Sequence, residues 1–89
     1  MSKNSYREDR EYLKELLQQY QNLKQGRSHS FIEEDAFERI IDYYDEKDDL
    51  TEALTAAETG LELFPYSSAL MIRKADILFF QVEHLKVPL

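Results

Sequence analysis

The chain has 89 residues, with 11 basic and 18 acidic side chains and a formal net charge of −7. This length predicts one domain, small enough to bury only about 60–65% of its unfolded surface. The acidic balance argues against a nucleic-acid partner, because phosphate binding depends on Lys and Arg displacing counterions. There is no cysteine, so disulfides and thiolate metal sites are excluded. The N-terminus lacks an uninterrupted apolar run, so we expect no signal peptide, no membrane partner and a cytoplasmic location.

A long first helix is predicted from about Tyr6 to Lys24, a stretch made of strong or neutral helix formers. Its apolar side chains recur about every 3.5 residues and form one stripe: Tyr12, Leu13, Leu16, Leu17, Tyr20 and Leu23. A stripe this narrow could be a coiled-coil dimerisation seam, but it spans fewer than about three heptads. The interpretation we favour is that this helix packs on the rest of the chain and covers its first face.

Two signals separate this helix from a second one. Gly26 predicts a left-handed end to the first helix. Ser30, followed three residues later by Glu33, resembles a capping box at the start of the next helix. That helix would run from about Phe31 to Glu46. Its apolar side chains share one face: Phe37, Ile40, Ile41 and Tyr44.

A third helix is predicted from about Asp49 to Phe64. Asp49 and Glu52 form another capping-box pattern, in which the Asp accepts from a backbone N–H and the Glu reaches back. Small residues make a strip that a neighbouring helix could approach closely: Ala53, Ala57 and Gly60. A glycine inside a helix costs about 1 kcal/mol relative to alanine, so we expect close packing to offset it.

A fourth helix is predicted from about Ser68 to His84 or Leu85. Pro65 would end the third helix, and Ser67 or Ser68 would cap the fourth. No segment alternates apolar and polar residues over the length of a strand. The predicted fold class is therefore all-α, with about four helices in antiparallel hairpins.

Six residues stand at the positions of a helix–turn–helix repeat signature: Phe37, Ile40, Tyr44, Ala53, Ala57 and Pro65, with Leu61 as the usual aliphatic. The chain here resembles the tetratricopeptide repeat (TPR) family. A second unit begins in register at Met71, Ala75 and Leu78, so the resemblance covers one full repeat plus the first helix of a second. It implies a TPR-like repeat unit at 30–89, preceded by an N-terminal helix and linker at 1–29, within a single domain.

Three positions depart from the family's pattern. Ile41 stands where the family usually has a small residue, and Gly60 replaces the second Ala. Lys74 occupies a position in the second unit that is usually apolar.

The resemblance implies that the surface of each unit's first helix lines a groove that receives a peptide. The corresponding residues are Glu38, Arg39, Asp42 and Asp45 in the first unit and Ile72, Arg73, Asp76 and Phe79 in the second. The groove would be acidic, so a basic or amphipathic protein or peptide is the expected partner. Chaperone C-termini, which related clamps hold with basic and amide residues, are not expected because Glu38 and Asp42 stand at those positions. The alternative is an ordinary solvated helix face.

The residues give no catalytic, cofactor or metal motif. His29 and His84 have no His or Cys at metal-ligand spacing. The acidic run at 45–52 lacks the central Gly of a calcium loop, and the carboxylates at 33–35 suit the start of a helix. We therefore expect no enzyme activity and no cofactor.

The fourth helix is apolar around most of its circumference, and a helix of that kind is normally buried on several sides. The helix that would cover it in a complete repeat is missing. The N-terminal helix, a second copy or a longer repeat array could each provide the cover. Our hypothesis is a homodimer through these side chains: Phe79, Phe80, Val82 and Leu85.

Two functions follow as expectations. The first is a protein–protein interaction module, a TPR-like adaptor or scaffold that is the N-terminal part of a longer array. The alternative is a structural protein whose helices serve homodimerisation only. Binding that depends on groove residues would favour the first, and mutations that matter only at the dimer surface would favour the second.

Overall fold

The computed structural model describes the backbone of residues 2–26 and 31–86 and the side chains of residues 8–26 and 31–83. Over these residues the chain forms four helices and no strand: α1 (Ser2–Lys24), α2 (Glu34–Glu46), α3 (Leu50–Leu63) and α4 (Ser68–Lys86). The predicted all-α fold of antiparallel helical hairpins is confirmed. The first helix begins four residues earlier than expected.

One core lies where α2, α3 and α4 meet. Its largest fully buried side chains come from α1, α2, α4 and the connection before α2: Tyr20, Ile32, Phe37, Ile40, Ile41 and Leu70. The helix α3 lies between its neighbours and contacts both, while α2 and α4 also touch along one edge. This arrangement follows from α3 presenting small residues on its inner side, because Ala53, Ala56 and Ala57 are fully buried and let both neighbours approach.

The helix α1 packs on α2, as the favoured interpretation of its apolar stripe predicted. Leu16 and Tyr20 are buried, and the Tyr20 ring stands edge-on to Phe37 with centroids 6.5 Å apart. The Tyr20 hydroxyl donates to Glu52 Oε2 of α3 at 3.1 Å, and Lys24 forms an ion pair with the same oxygen. An aromatic contact and a charged hydrogen bond therefore hold α1 to the hairpin behind it.

The start of α2 differs from the prediction. Residues 31–33 are not helical, and α2 begins at Glu34. The nonhelical segment places Ile32 in the core, where it is 1% exposed. It also places the ring centroid of Phe31 6.0 Å from that of Phe64. Glu33 occupies the N-cap position without a side-chain hydrogen bond. The predicted partner in that capping box, Ser30, lies outside the described residues.

The turn between α2 and α3 is a Schellman motif. The amide of Asp49 donates to the carbonyl of Tyr44 at 2.9 Å, and the amide of Asp48 donates to Asp45 at 3.0 Å. Asp48 occupies the left-handed position with φ 61°, which glycine usually takes. The predicted cap of α3 is confirmed, because Asp49 Oδ1 accepts from the amide of Glu52 at 3.2 Å. A three-residue connection thus reverses the chain and lays α3 against α2.

Close packing fixes α4 against α3. A Cβ on Gly60 would lie 2.9 Å from Leu70 Cδ1 and 3.0 Å from Phe37 Cγ, so the predicted close approach is confirmed. Ser67 caps α4 by accepting from the amide of Leu70 at 3.1 Å. Its hydroxyl also donates to the carboxylate of Glu34, which ties the start of α4 to the start of α2. The predicted left-handed helix end at Gly26 is confirmed by its φ of 70°.

Candidate protein-interaction site

A groove runs between α2 and α4, with a cavity volume of about 350 Å³. Its floor is apolar, because it is formed by Ile41 and Ile77, whose side chains are 1% and 4% exposed. The walls add acidic, basic and apolar side chains, and the complete lining is Ile41, Asp42, Asp45, Ile72, Arg73, Asp76, Ile77 and Phe80. We call this feature the α2–α4 groove. It exists because the short α2–α3 and α3–α4 connections set α2 and α4 side by side on the same face of α3.

Arg73 joins the two walls of the groove. Its Nε and Nη2 donate to the two carboxylate oxygens of Asp42, each at 3.0 Å, and its Nη1 lies 3.2 Å from Glu38 Oε1. A bidentate pair of this kind fixes orientation as well as distance. The hydrogen bonds to Asp42 raise the pKa of the Arg73 guanidinium above its ordinary value, with a further contribution from Glu38. Arg73 therefore links α4 to α2 across the groove through a partly exposed ion pair.

The charge of the groove remains acidic after this pairing. Glu38, Asp42, Asp45 and Asp76 contribute four carboxylates at the groove and its rim, against the guanidinium of Arg73. Asp45 and Asp76 are exposed and stand on opposite walls. A segment that enters between them therefore meets negative charge on both sides and an apolar floor below.

Two residues that the sequence assigned to the groove lie elsewhere. The guanidinium carbon of Arg39 is 5.2 Å from the ring centre of Tyr12, so Arg39 faces α1. Phe79 is 66% exposed and does not line the groove. Phe79 misses the groove because neighbouring residues on a helix point about 100° apart. Phe80, the next residue, lines the groove instead.

The sequence did not assign Ile41 or Ile77 to the groove. Ile41 was expected to face the core, and both Ile41 and Ile77 are buried. Their outer edges nevertheless line the groove. Their position in the sequence could have predicted this, because Ile41 is next to Asp42 and Ile77 is next to Asp76. Each is the inward neighbour of a predicted groove residue.

An exposed apolar strip follows the outer side of α4 and meets the groove at Ile72. We call it the outer α4 face, and it consists of Met71, Ile72, Ala75, Leu78, Phe79 and Val82, all exposed. On the expected dimer surface, Phe79 and Val82 belong to this face and Phe80 turns into the groove. The side chain of Leu85 lies outside the described residues.

The helix α1 does not cover this strip. It packs on α2, and it makes no contact with α4 within the described residues. The first of the three covers considered for α4 is therefore wrong. Lys74, the polar residue at a position that is usually apolar in the repeat, lies 3.6 Å from Glu58 of α3 and marks the edge of the strip.

Other kinds of site find no support among the described residues. No group of three His, Cys, Asp or Glu side chains in that part of the chain could hold a metal ion. None of the described helices is both long and apolar enough to cross a bilayer.

The fold and these surfaces define a class of protein: an all-α chain of antiparallel hairpins with an acidic groove and an exposed apolar helix face. Comparisons with protein-family models, curated proteins and solved structures found no match.

Proposed function

We propose that the chain is a non-catalytic protein-interaction module, a TPR-like adaptor or scaffold that binds a basic or amphipathic segment of a partner in the α2–α4 groove. The observation that carries this proposal is the combination of an apolar floor, at Ile41 and Ile77, with carboxylates on both walls. Pockets of this kind bind through buried apolar contacts, while a few polar groups set the orientation.

The internal pairing of Arg73 sharpens the choice of partner. Because Arg73 already binds Asp42 and Glu38, its guanidinium is not available to hold an acidic ligand. Asp45 and Asp76 would instead attract Lys or Arg side chains, and the apolar floor would take an aliphatic residue between them. A helical segment with basic and aliphatic residues on one face meets these requirements.

The test is selection of a random-peptide phage library on the purified chain, followed by affinity measurement on Asp45→Asn/Asp76→Asn. The selected peptides should combine Lys or Arg with aliphatic residues. Their affinity should fall about tenfold in the variant, since two favourable charge contacts are lost. Arg73 is left intact because replacing it would also leave Asp42 and Glu38 without their ion-pair partner.

The matched control is Glu8→Gln/Glu11→Gln, which removes the same charge from exposed positions on α1. It should leave the affinity unchanged, apart from a small effect of net charge. Equal losses in the two variants would show that only overall charge matters. That result, or selected peptides without basic residues, would overturn the groove proposal.

The outer α4 face favours a second candidate function, a structural protein that serves self-association. Its exposed apolar side chains include Phe79 at 66% and Ile72 at 59%. Contiguous apolar patches of this kind usually mark an interaction site on a soluble protein. The groove and the outer face share only Ile72, so substitutions at their other residues test either function without removing the other surface.

A further inference from the structure

We propose that the outer α4 face binds a second copy of this chain, with the two α4 helices antiparallel. This inference rests on the second candidate function above and specifies its geometry. It concerns a face of α4 that shares only Ile72 with the groove, and it does not depend on a peptide being bound. It commits to one occupant for the exposed strip, and the argument rests on the spacing, size and charge of its side chains.

The central line of the face has a spacing that reads the same in both directions. Met71, Ala75, Leu78 and Val82 are separated by four, three and four residues. When one helix is reversed against an identical one, Met71 meets Val82 of the second copy and Ala75 meets Leu78. A small or branched residue then opposes a longer one at every level, which is the alternation that fills a helix interface.

The flank of the strip fits the same alignment. Ile72 of one copy would lie beside Phe79 of the other, and both are among the most exposed apolar residues of the chain. On the opposite flank Lys74 would lie beside Gln81 of the second copy, so no like charges meet there. The isologous arrangement repeats each of these contacts twice.

A parallel pair of the same helices fits less well. Each residue would then face its own copy, so Ala75 would meet Ala75 and leave a gap between larger layers at Met71 and Leu78. Unfilled space in an interface loses van der Waals contacts. A parallel pair would also align the two helix dipoles, whereas the antiparallel pair opposes them.

The area is sufficient for a weak but specific dimer. Met71 is 47% exposed, and Val82 is exposed to the same extent. We estimate that the whole strip leaves roughly 500 Å² of apolar surface open on each copy, so pairing would bury about 1,000 Å², near the lower limit for a specific interface. Each copy carries a net charge of −7, so electrostatic repulsion opposes pairing and salt should strengthen it.

The first experiment is sedimentation equilibrium of the whole chain from about 1 to 200 µM, where an interface of this size should dissociate. We expect a reversible monomer–dimer equilibrium that becomes tighter at higher salt. Ala75→Glu places a carboxylate at the centre of the face, on a residue that is already exposed, and should weaken the dimer at least tenfold. Gln18→Glu makes the same charge change on α1 and should have no such effect. Helicity by circular dichroism checks that both variants fold.

The second experiment reads the orientation. The chain has no cysteine, so single-cysteine variants report one position each. With a short bismaleimide, a mixture of Met71→Cys and Val82→Cys should form the mixed dimer. Each variant alone should cross-link poorly in the antiparallel arrangement and well in a parallel one.

The outcomes separate the possibilities. A chain that stays monomeric at every concentration and salt level would overturn the inference, including the case in which another protein covers this face. A dimer unaffected by Ala75→Glu, or one that cross-links Met71→Cys to itself, would overturn it as well. The groove has a separate readout, because its basic peptides should bind more weakly as salt rises, whereas the dimer should become tighter.

Discussion

Replacing Gly60 with alanine tests the packing on which the fold depends. In an open helix the change would stabilise the chain by about 1 kcal/mol, the difference in helix propensity. Here the added Cβ would lie 2.9 Å from Leu70 and 3.0 Å from Phe37, and neither neighbour is exposed to solvent. Overpacking a filled core costs about 1–3 kcal/mol. The packing cost should therefore exceed the gain, and we expect Gly60→Ala to lower the free energy of unfolding by about 1 kcal/mol.

Urea unfolding followed by circular dichroism measures this change, which corresponds to a melting temperature lower by about 4–8 °C in a domain of this size. Thr55→Ala is the control, because Thr55 is exposed on the same helix and the change should stabilise slightly through helix propensity alone.

A second variant tests whether overpacking causes this loss of stability. Leu70→Ala opens space beside Gly60, so Gly60→Ala should lower the free energy of unfolding by less in that background than in the wild type. If Gly60→Ala stabilised the wild type as much as it would an open helix, or if Leu70→Ala did not change its effect, α3 would not pack closely against α2 and α4 at this point.

Four further changes address the turn, the attachment of α1 and the groove. Asp48→Gly should raise the free energy of unfolding by about 0.5–1 kcal/mol, because φ is 61° there and glycine adopts this conformation without strain; unchanged or lower stability in urea would contradict this. Glu52→Ala should cost about 1–2 kcal/mol, because it leaves the buried Tyr20 hydroxyl without this acceptor, and urea unfolding together with the coupling to Tyr20→Phe measures it. Burial and Glu52 raise the pKa of Tyr20, so its hydroxyl stays protonated in the folded chain above pH ~10, where it ionises in the unfolded chain. The free energy of unfolding should therefore fall as the pH rises past that value, and it should fall less steeply in Tyr20→Phe. Unfolding followed by circular dichroism at alkaline pH measures both slopes. Arg73→Met should cost about 1 kcal/mol or less, because the pair with Asp42 is partly exposed, and a much larger loss in urea would show that the pair supports the core.

Local rules predicted the helices and most of their ends, because caps and breakers act within a few residues. Asp49, Ser67 and Gly26 behave as their types predict. Glu52 does not complete its capping box, and the reason lies outside the local pattern. The amide of Asp49 already donates to the carbonyl of Tyr44, so Glu52 has no orphan donor to satisfy and binds α1 instead.

Tertiary contacts decided what the sequence could not. Ile32 was predicted to lie in the second helix, but it lies in a nonhelical segment and its side chain is buried in the core. The stripe on α1 predicted that this helix would pack, yet it could not say against which partner. The hydrogen bond from Tyr20 to Glu52, 32 residues away, settles that choice, and such pairings leave no periodic signal.

The groove could be predicted by position but not in its details. The spacing assigned Asp42, Asp45, Arg73 and Asp76 to one groove, and all four line the cavity between α2 and α4, because each residue lies about 100° from the next around a helix. It failed at Arg39, whose long side chain lies on the Tyr12 ring. The pattern also could not reveal that Arg73 pairs with Asp42 and Glu38, since that pairing depends on the distance between α4 and α2.

Ile72 links the two proposed surfaces. It lines the groove and lies at the edge of the outer α4 face, and the antiparallel pair would place Phe79 of a second copy beside it. Pairing would then remove part of the apolar wall that a groove peptide uses. Coupling between two binding events is reciprocal, so a peptide that contacts Ile72 must weaken the dimer by the same factor by which the dimer weakens the peptide. Leu70 packs α4 closely against α3 at Gly60, so α4 presents a fixed side to each surface. Competition between the partner and the second copy would follow from the geometry of one helix.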